Sequence, residues 1–283
     1  MNKTISPLRY PGGKAKVYHQ ILKLLEKNNK VGTIYIEPFA GGCGLALMLL
    51  KNNIVSGLIL NDIDKSIYCF WKSVIKYNAE FCEMIEKATI SLEEREIQKL
   101  IQNNKENINK RKKEDILKLG FSTFYLNRVN RSGIIKAGVI GGLDQTGNYK
   151  MDCRFNKKTL IEKIKEIGKY KDKIKFYNLD AIKFLDRIKK KNTFIFFDPP
   201  YYKKGKELYT NFYGAEDHKE LANKIFSLRN DWIVTYDNVQ EIKELYQNYR
   251  QNEFDISYTL ANKRKAKEVM IFSNSLKYVL SEE

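Results

Sequence analysis

Only 5 prolines and 2 histidines occur among the 283 residues, and the 4 cysteines, at positions 43, 69, 82 and 153, form no CxxC pair. Thiols and imidazoles this sparse build neither a zinc site nor a secreted disulfide framework, so all four cysteines are expected to be reduced thiols. A deaminase lacks its HxE with CxxC signature here, and a nuclease lacks its metal-binding carboxylate cluster, so no metal is expected. No run of about 18 uncharged apolar residues is present, as a membrane-crossing helix would need. The segment from Met1 to Arg9 has no apolar stretch of the kind found in signal peptides. The expected location is the cytoplasm, with no membrane partner.

Acidic residues are the other shortage. Against 51 Lys and Arg stand 34 Asp and Glu, a formal net charge of +17. An excess this large calls for a polyanionic partner. It is also concentrated: residues 110–175 hold 18 Lys and Arg against 7 Asp and Glu, a net +11.

Short β-branched and aromatic runs at 33–39, 55–62, 175–180, 193–199 and 231–237 have the character of buried parallel strands. Most are followed by helical patterns, which predicts a doubly wound α/β sheet. Two more runs, 253–260 and 267–274, are separated only by a basic turn, which predicts a closing antiparallel hairpin and about seven strands. The second strand ends near Asp62 and the third begins only near Lys175, far more chain than one crossover helix needs. Residues 65–169 therefore read as an inserted lobe, with 1–64 and 170–283 forming the catalytic domain. Within the lobe, 65–86 and 92–118 read as helices, 103–113 as a polar, mobile loop, and 133–147 as a glycine-rich segment.

Two motifs carry chemistry. The first, Glu37-Pro38-Phe39-Ala40-Gly41-Gly42-Cys43-Gly44, follows an apolar strand and precedes a helical run at 45–51. Glycines there let the backbone turn sharply and approach a ligand at the carboxyl end of the sheet. About twenty residues on, strand-end Asp62 can accept hydrogen bonds from ribose hydroxyls, so the pattern indicates a nucleoside cofactor. The spacing departs from GxGxxG, which disfavours a dinucleotide. A phosphate loop at Tyr10-Pro11-Gly12-Gly13-Lys14 fails as well, because Ala15 stands where Ser or Thr is needed and Leu8 where the first glycine is needed.

The second motif, Asp198-Pro199-Pro200-Tyr201, closes the most apolar strand in the chain. It delivers a carboxylate and an aromatic ring to the sheet edge, with two prolines fixing the backbone between them. That set suits methylation of a conjugated amino group. The lone pair of such a nitrogen is delocalised until acceptors for its N–H groups favour a pyramidal geometry; Asp198 and the Pro199 carbonyl are the acceptors, and Tyr201 stacks on the base. His218, in Glu216-Asp217-His218-Lys219, reads as part of a helix start rather than as a base.

These residues resemble the Dam-like DNA adenine N6-methyltransferases. The likeness runs through Arg9-Tyr10-Pro11-Gly12-Gly13-Lys14, Glu37 to Gly44, Asp62, Asp180 and the DPPY run, in the same order, with Phe124 to Arg128 and Arg154-Phe155-Asn156 inside the insertion. The resemblance implies a seven-stranded methyltransferase sheet whose last strand runs antiparallel, with a mainly helical target-recognition domain inserted. It implies S-adenosylmethionine as cofactor. Lys14 would pair with the cofactor's methionine carboxylate, Tyr10 would line its pocket where relatives more often have Trp, and Glu37, Phe39 and Gly41 would approach it. Asp62 would hold its ribose, Asp180 would meet its adenine, and Asp198 would contact it too. Duplex DNA would be the substrate, its target adenine flipped out of the stack into a basic cleft, and a cognate restriction endonuclease is a candidate partner. The residues expected against DNA are Asn127, Arg128, Asn130, Arg131, Arg154, Lys157 and Lys158 in the insertion, and Arg264, Lys265 and Lys267 in the terminal hairpin turn. Adenine in RNA and a glutamine amide are alternative substrates for such motifs, and a catalytically silent DNA-binding homologue is the alternative from outside enzymology.

Overall fold

A computed structural model describes residues 5–10, 12–189, 192–203, 213–258 and 264–278, and leaves out the side chains of 256–258 and 264–266. Its centre is a 7-stranded sheet in the order β3-β2-β1-β4-β5-β7-β6. The strands are β1 (Ile34–Glu37), β2 (Gly57–Asn61), β3 (Ile174–Tyr177), β4 (Thr193–Phe197), β5 (Asp231–Asp237), β6 (Arg250–Tyr258) and β7 (Arg264–Phe272). β1 pairs parallel with β2 and β4, and β4 pairs parallel with β5. β7 runs antiparallel to both β5 and β6. This is the α/β methyltransferase sheet anticipated from the sequence.

Local chemistry explains where the strands stop. β4, Thr-Phe-Ile-Phe-Phe, is buried at every position, as a strand covered on both faces must be. β1 ends at Glu37 because Pro38 has no N–H to continue the ladder. β3 is shorter than the apolar run suggested: Asn178 turns its amide back onto the carbonyls of Asp62 and Ile63, both at 2.8 Å. Leu260, at the expected end of the sixth strand, lies outside the described residues.

The chain divides into two compact units. The sheet unit comprises Lys14–Ala40, Met48–Ile63 and Tyr177–Glu283, and the helical unit Met1–Gly13, Gly41–Leu47 and Asp64–Phe176. The core of the sheet unit gathers Ile36, Ile195, Phe197, Leu221, Trp232, Val234 and Ile271.

The helical unit contains α3 (Lys65–Lys76), α4 (Asn78–Lys87), α5 (Leu92–Asn103), α6 (Lys113–Val129) and α7 (Lys157–Gly168); α1 (Tyr18–Lys27) and α2 (Gly44–Lys51) precede them in the chain. Asp64, Ser91 and Asn156 cap α3, α5 and α7, their side chains accepting from Ser66, Glu94 and Thr159 N–H groups. The run 65–86 is not one helix. It breaks at Tyr77, where the Asn78 amide takes the carbonyls of Val74 (2.7 Å) and Ile164 (2.9 Å). The run 92–118 is likewise two helices, because the Asn104 amide closes α5 on the Leu100 carbonyl. The polar segment after it includes a 3-10 turn, Lys105–Asn107, where Lys65 Nζ donates to the carbonyls of Lys105 (3.0 Å) and Glu106 (2.9 Å). Phe70, Phe81, Phe124 and Phe155 form the aromatic centre of this unit, with ring centroids 5.4–6.2 Å apart between neighbours.

Candidate active site and basic surface

In the sheet unit, β4 delivers Asp198 to its carboxyl end. Lys14 Nζ lies 2.7 Å from Asp198 Oδ1, and Thr235 Oγ1 donates to the same oxygen at 2.9 Å. About 25% of the Asp198 side chain is open, against 4% for Lys14. Because strand side chains alternate, Thr235 and Asp237 on β5 share a face, and the Asp237 carboxylate accepts from the backbone N–H groups of Tyr202 (2.8 Å) and Lys203 (3.1 Å). The loop carrying Asp198, Pro199, Pro200 and Tyr201 is thus pinned at both ends by one strand.

Tyr201 is buried, and its hydroxyl donates to Glu268 Oε1 at 2.6 Å, with the Lys14 ammonium 5.6 Å from its ring centroid. Lys14 lies over its ring. Glu268, on β7 opposite Asp237, is also 3.4 Å from Lys14 through Oε2. Burial works against the Lys14 charge, but Asp198 and Glu268 outweigh it and hold the ammonium above its ordinary range. Burial pushes the Asp198 carboxyl up, with Glu268 adding to the rise while Lys14 and Thr235 oppose it. Glu37 is buried at the end of β1; desolvation and the neighbouring Asp198 push its carboxyl up to about 8. It is a protonated acid at neutral pH.

Phe39 packs against Tyr213, whose phenol feels the charges of Asp180 and Asp62. The Phe39 ring meets the Tyr213 ring edge-on at 5.8 Å, and burial, with the charges of Asp180 and Asp62 among its causes, raises the Tyr213 phenol. Asp180 caps the helix Ala181–Leu185, its Oδ1 accepting from Ile182 and Lys183 N–H groups. Asp62 is not a cap, since Asp64 does that for α3. His218 lies in the first turns of the helix Ala215–Phe226, buried, with Nδ1 2.9 Å from the Tyr236 hydroxyl. Burial drives its pKa down to about 4, so it is a neutral core group at pH 7.

The helical unit holds the other candidates. Tyr10 lies across the Gly41-Gly42 backbone so closely that a Cβ on either glycine would come within 2.6 Å or 2.7 Å of its atoms; Gly41 also has φ +45°. Trp71 Nε1 donates to the Gly41 carbonyl at 2.8 Å. Three arginines crowd together at Arg9, Arg128 and Arg154. Burial, then the charges of Arg9 and Arg154, hold the Arg128 guanidinium down to about 10, and burial with Arg154 lowers Arg9. Arg128 donates to the carbonyls of Arg154 (2.6 Å from Nε) and Pro7 (3.2 Å).

Two expected DNA contacts are corrected. Asn127 is buried and binds the Arg9 backbone on both sides, N–H (2.8 Å) and carbonyl (2.7 Å), and the Gly133 carbonyl (2.7 Å). Asn130 is buried too, held by Arg95 Nε and the Ile135 carbonyl, each at 2.8 Å. Their amides are consumed in shaping the unit's own backbone, because a buried amide left unpaired is costly. Arg131, Arg154 and Lys158 are exposed. Lys157 Nζ donates to the Glu86 carbonyl at 2.7 Å. Lys267 is exposed and 3.6 Å from Glu253, while the side chains of Arg264 and Lys265 lie outside the described residues, as does Pro11.

Thr235, Asp237 and Glu268 are absent from the sequence-based site. A signal existed for the last: a Glu directly abutting the apolar run Val269-Met270-Ile271-Phe272. None of the four cysteines is in a disulfide. Among the described residues no helix is long and apolar enough to cross a membrane, and no group of three or more His, Cys, Asp or Glu could hold a metal ion.

Residues 10–262 match the profile of the D12 class N6 adenine-specific DNA methyltransferases. Among characterised relatives, the type II methyltransferase M.MjaIII of Methanocaldococcus jannaschii is 28% identical over 204 residues, covering 69% of this chain and 68% of that one. The type II methyltransferase M.CviBI of Paramecium bursaria Chlorella virus NC1A is 22% identical over 238 residues, covering 79% and 80%.

Proposed function

The chain belongs to the D12 class of N6 adenine-specific DNA methyltransferases, and from that premise we propose that Asp198, Pro199, Pro200 and Tyr201 carry out methyl transfer from S-adenosylmethionine to adenine flipped out of duplex DNA. The observation that carries this reading is the state of Asp198: its Oδ1 is fixed by Lys14 and Thr235, while about 25% of its side chain is exposed.

The cofactor supplies a methyl group made electrophilic by its sulfonium. The chain's own residues do the rest. Phe39 with Tyr213, flanked by Asp62 and Asp180, forms an aromatic and acidic cradle whose chemistry fits a nucleoside: a ring to stack on, carboxylates to accept from hydroxyl and amino groups. Glu37, protonated at neutral pH, is a potential hydrogen-bond donor in the neighbourhood of Asp198. Asp198 and the Pro199 carbonyl accept from the N6 amino group, which localises its lone pair, and the carboxylate stabilises the positive charge that develops on N6 more than the neutral ground state. Tyr201, buried and anchored, walls the base.

Residues 1–64 and 170–283 are read as the catalytic domain and 65–169 as the target-recognition domain. The +11 charge of residues 110–175 supports the latter, with Arg128, Arg131, Arg154, Lys157 and Lys158 as its DNA-facing residues. Sequence-specific methylation alongside a restriction endonuclease is the biological setting, supported by the two type II relatives. The test is methyl transfer from labelled S-adenosylmethionine to duplex DNA, RNA and protein offered side by side. Label recovered as N6-methyladenine from the duplex is the expected result; label in RNA or protein instead would refute the reading.

A further inference from the structure

Glu268 touches the catalytic loop from a strand that no motif covers, six residues beyond the end of the family match at residue 262. Its Oε1 accepts from the Tyr201 hydroxyl at 2.6 Å, its Oε2 lies 3.4 Å from Lys14 Nζ, and the side chain is 1% exposed. A carboxylate this deeply buried is costly unless paired, and Lys14 and Tyr201, which are among its partners, belong to the site: Lys14 pairs with Asp198, and Tyr201 is read as walling the base pocket.

The electrostatic consequence follows from counting charges. Lys14 and Asp198 alone make a neutral pair, and a neutral pair does little for the positive charge that builds on a methylated amino nitrogen. With Glu268 on the far side of Lys14, the three groups sum to one negative charge, and the ammonium is shared between two carboxylates instead of quenching one. Among the described residues, Glu37, protonated at neutral pH, also neighbours Asp198, and the Tyr201 ring lies against Lys14. We propose that Glu268 is a positioning residue for methyl transfer: it balances Lys14 so that Asp198 acts as a full negative charge toward the substrate amino group, and it fixes Tyr201 through its hydroxyl.

The inference rests on the reading of Asp198 as the acceptor. Its test is the pH dependence of single-turnover methylation of duplex DNA by wild type, Glu268→Gln and Glu268→Asp, with melting curves run beside it. Glu268→Gln keeps the shape and can still accept from Tyr201, but it removes a charge that raises the Asp198 carboxyl. The expected result is a rate lowered tenfold or more, with the acidic limb of the pH profile displaced to lower pH. Glu268→Asp keeps the charge on a shorter stem, so its limb should coincide with that of wild type while its rate falls by a smaller factor. A Glu268→Gln protein within twofold of the wild-type rate, or one whose limb stays in place, would overturn the proposal. If Glu268→Gln does not fold, a Glu268→Asp protein that turns over at the wild-type rate, or whose limb moves, overturns it instead. Failure of the wild-type protein to methylate duplex DNA would strike the underlying reading, which the variant comparison alone does not.

Discussion

At the scale of single residues, Glu37 shows how burial rewrites an acid. Its carboxyl titrates near 8 in the folded chain against 4.5 for the unperturbed side chain, so between those values the folded protein keeps a proton that the unfolded chain releases. Stability from this group is full below about pH 4.5 and declines as the pH rises toward 8. Glu37→Gln should flatten the stability profile across that window, by on the order of 4 kcal/mol between its ends. Urea unfolding at pH steps checks this, and a variant whose slope matches wild type would mean that Glu37 ionises freely. Residue-level legibility in the sequence was uneven for a related reason. Asp198 and Tyr201 stand in a compact motif at a strand end, where type and spacing betray their chemistry. Thr235, Asp237 and Glu268 come from strands and lie 37 to 70 residues beyond Asp198, and only the sheet register brings them to the loop. Asn127 and Asn130 misled in the opposite sense: polar residues in a basic segment resemble DNA contacts until their amides are seen bonded to the Arg9, Gly133 and Ile135 backbone.

At the scale of elements, α3 and α6 meet at Gly120. A Cβ there would lie 2.5 Å from Ser73 Oγ and 2.8 Å from the Cys69 carbonyl oxygen. Ser73 could turn aside, but a backbone oxygen inside a helix cannot. Gly120→Ala gains about 1 kcal/mol of helix propensity and loses about 1–3 kcal/mol to overpacking, so a net destabilisation of roughly 1 kcal/mol is expected. Equilibrium denaturation measures it; a variant more stable than wild type would place the two helices further apart than described. The strands themselves were readable because β4 and the centre of β5 are apolar runs, whereas their order in the sheet was not. Helix breaks at Tyr77 and Asn104 were not, since they depend on Asn side chains capturing helical carbonyls, a choice that periodicity does not register.

At the scale of the molecule, the net charge of +17 makes salt the natural probe of DNA binding. Arg154, exposed beside Arg9 and Arg128, is the member of that trio best placed to meet a phosphate. Arg154→Ala should weaken binding to all duplexes and reduce the slope of log affinity against log salt by about 0.9, the value of one lost phosphate contact; an unchanged slope would make it ordinary solvated surface. The central claim concerns chemistry rather than binding, and it is tested most directly by the single-turnover methylation rate of Asp198→Ala on an adenine-containing duplex. With the acceptor carboxylate gone, transfer should slow about a hundredfold or more while duplex affinity stays near that of wild type. Near-normal methylation by Asp198→Ala would contradict the account.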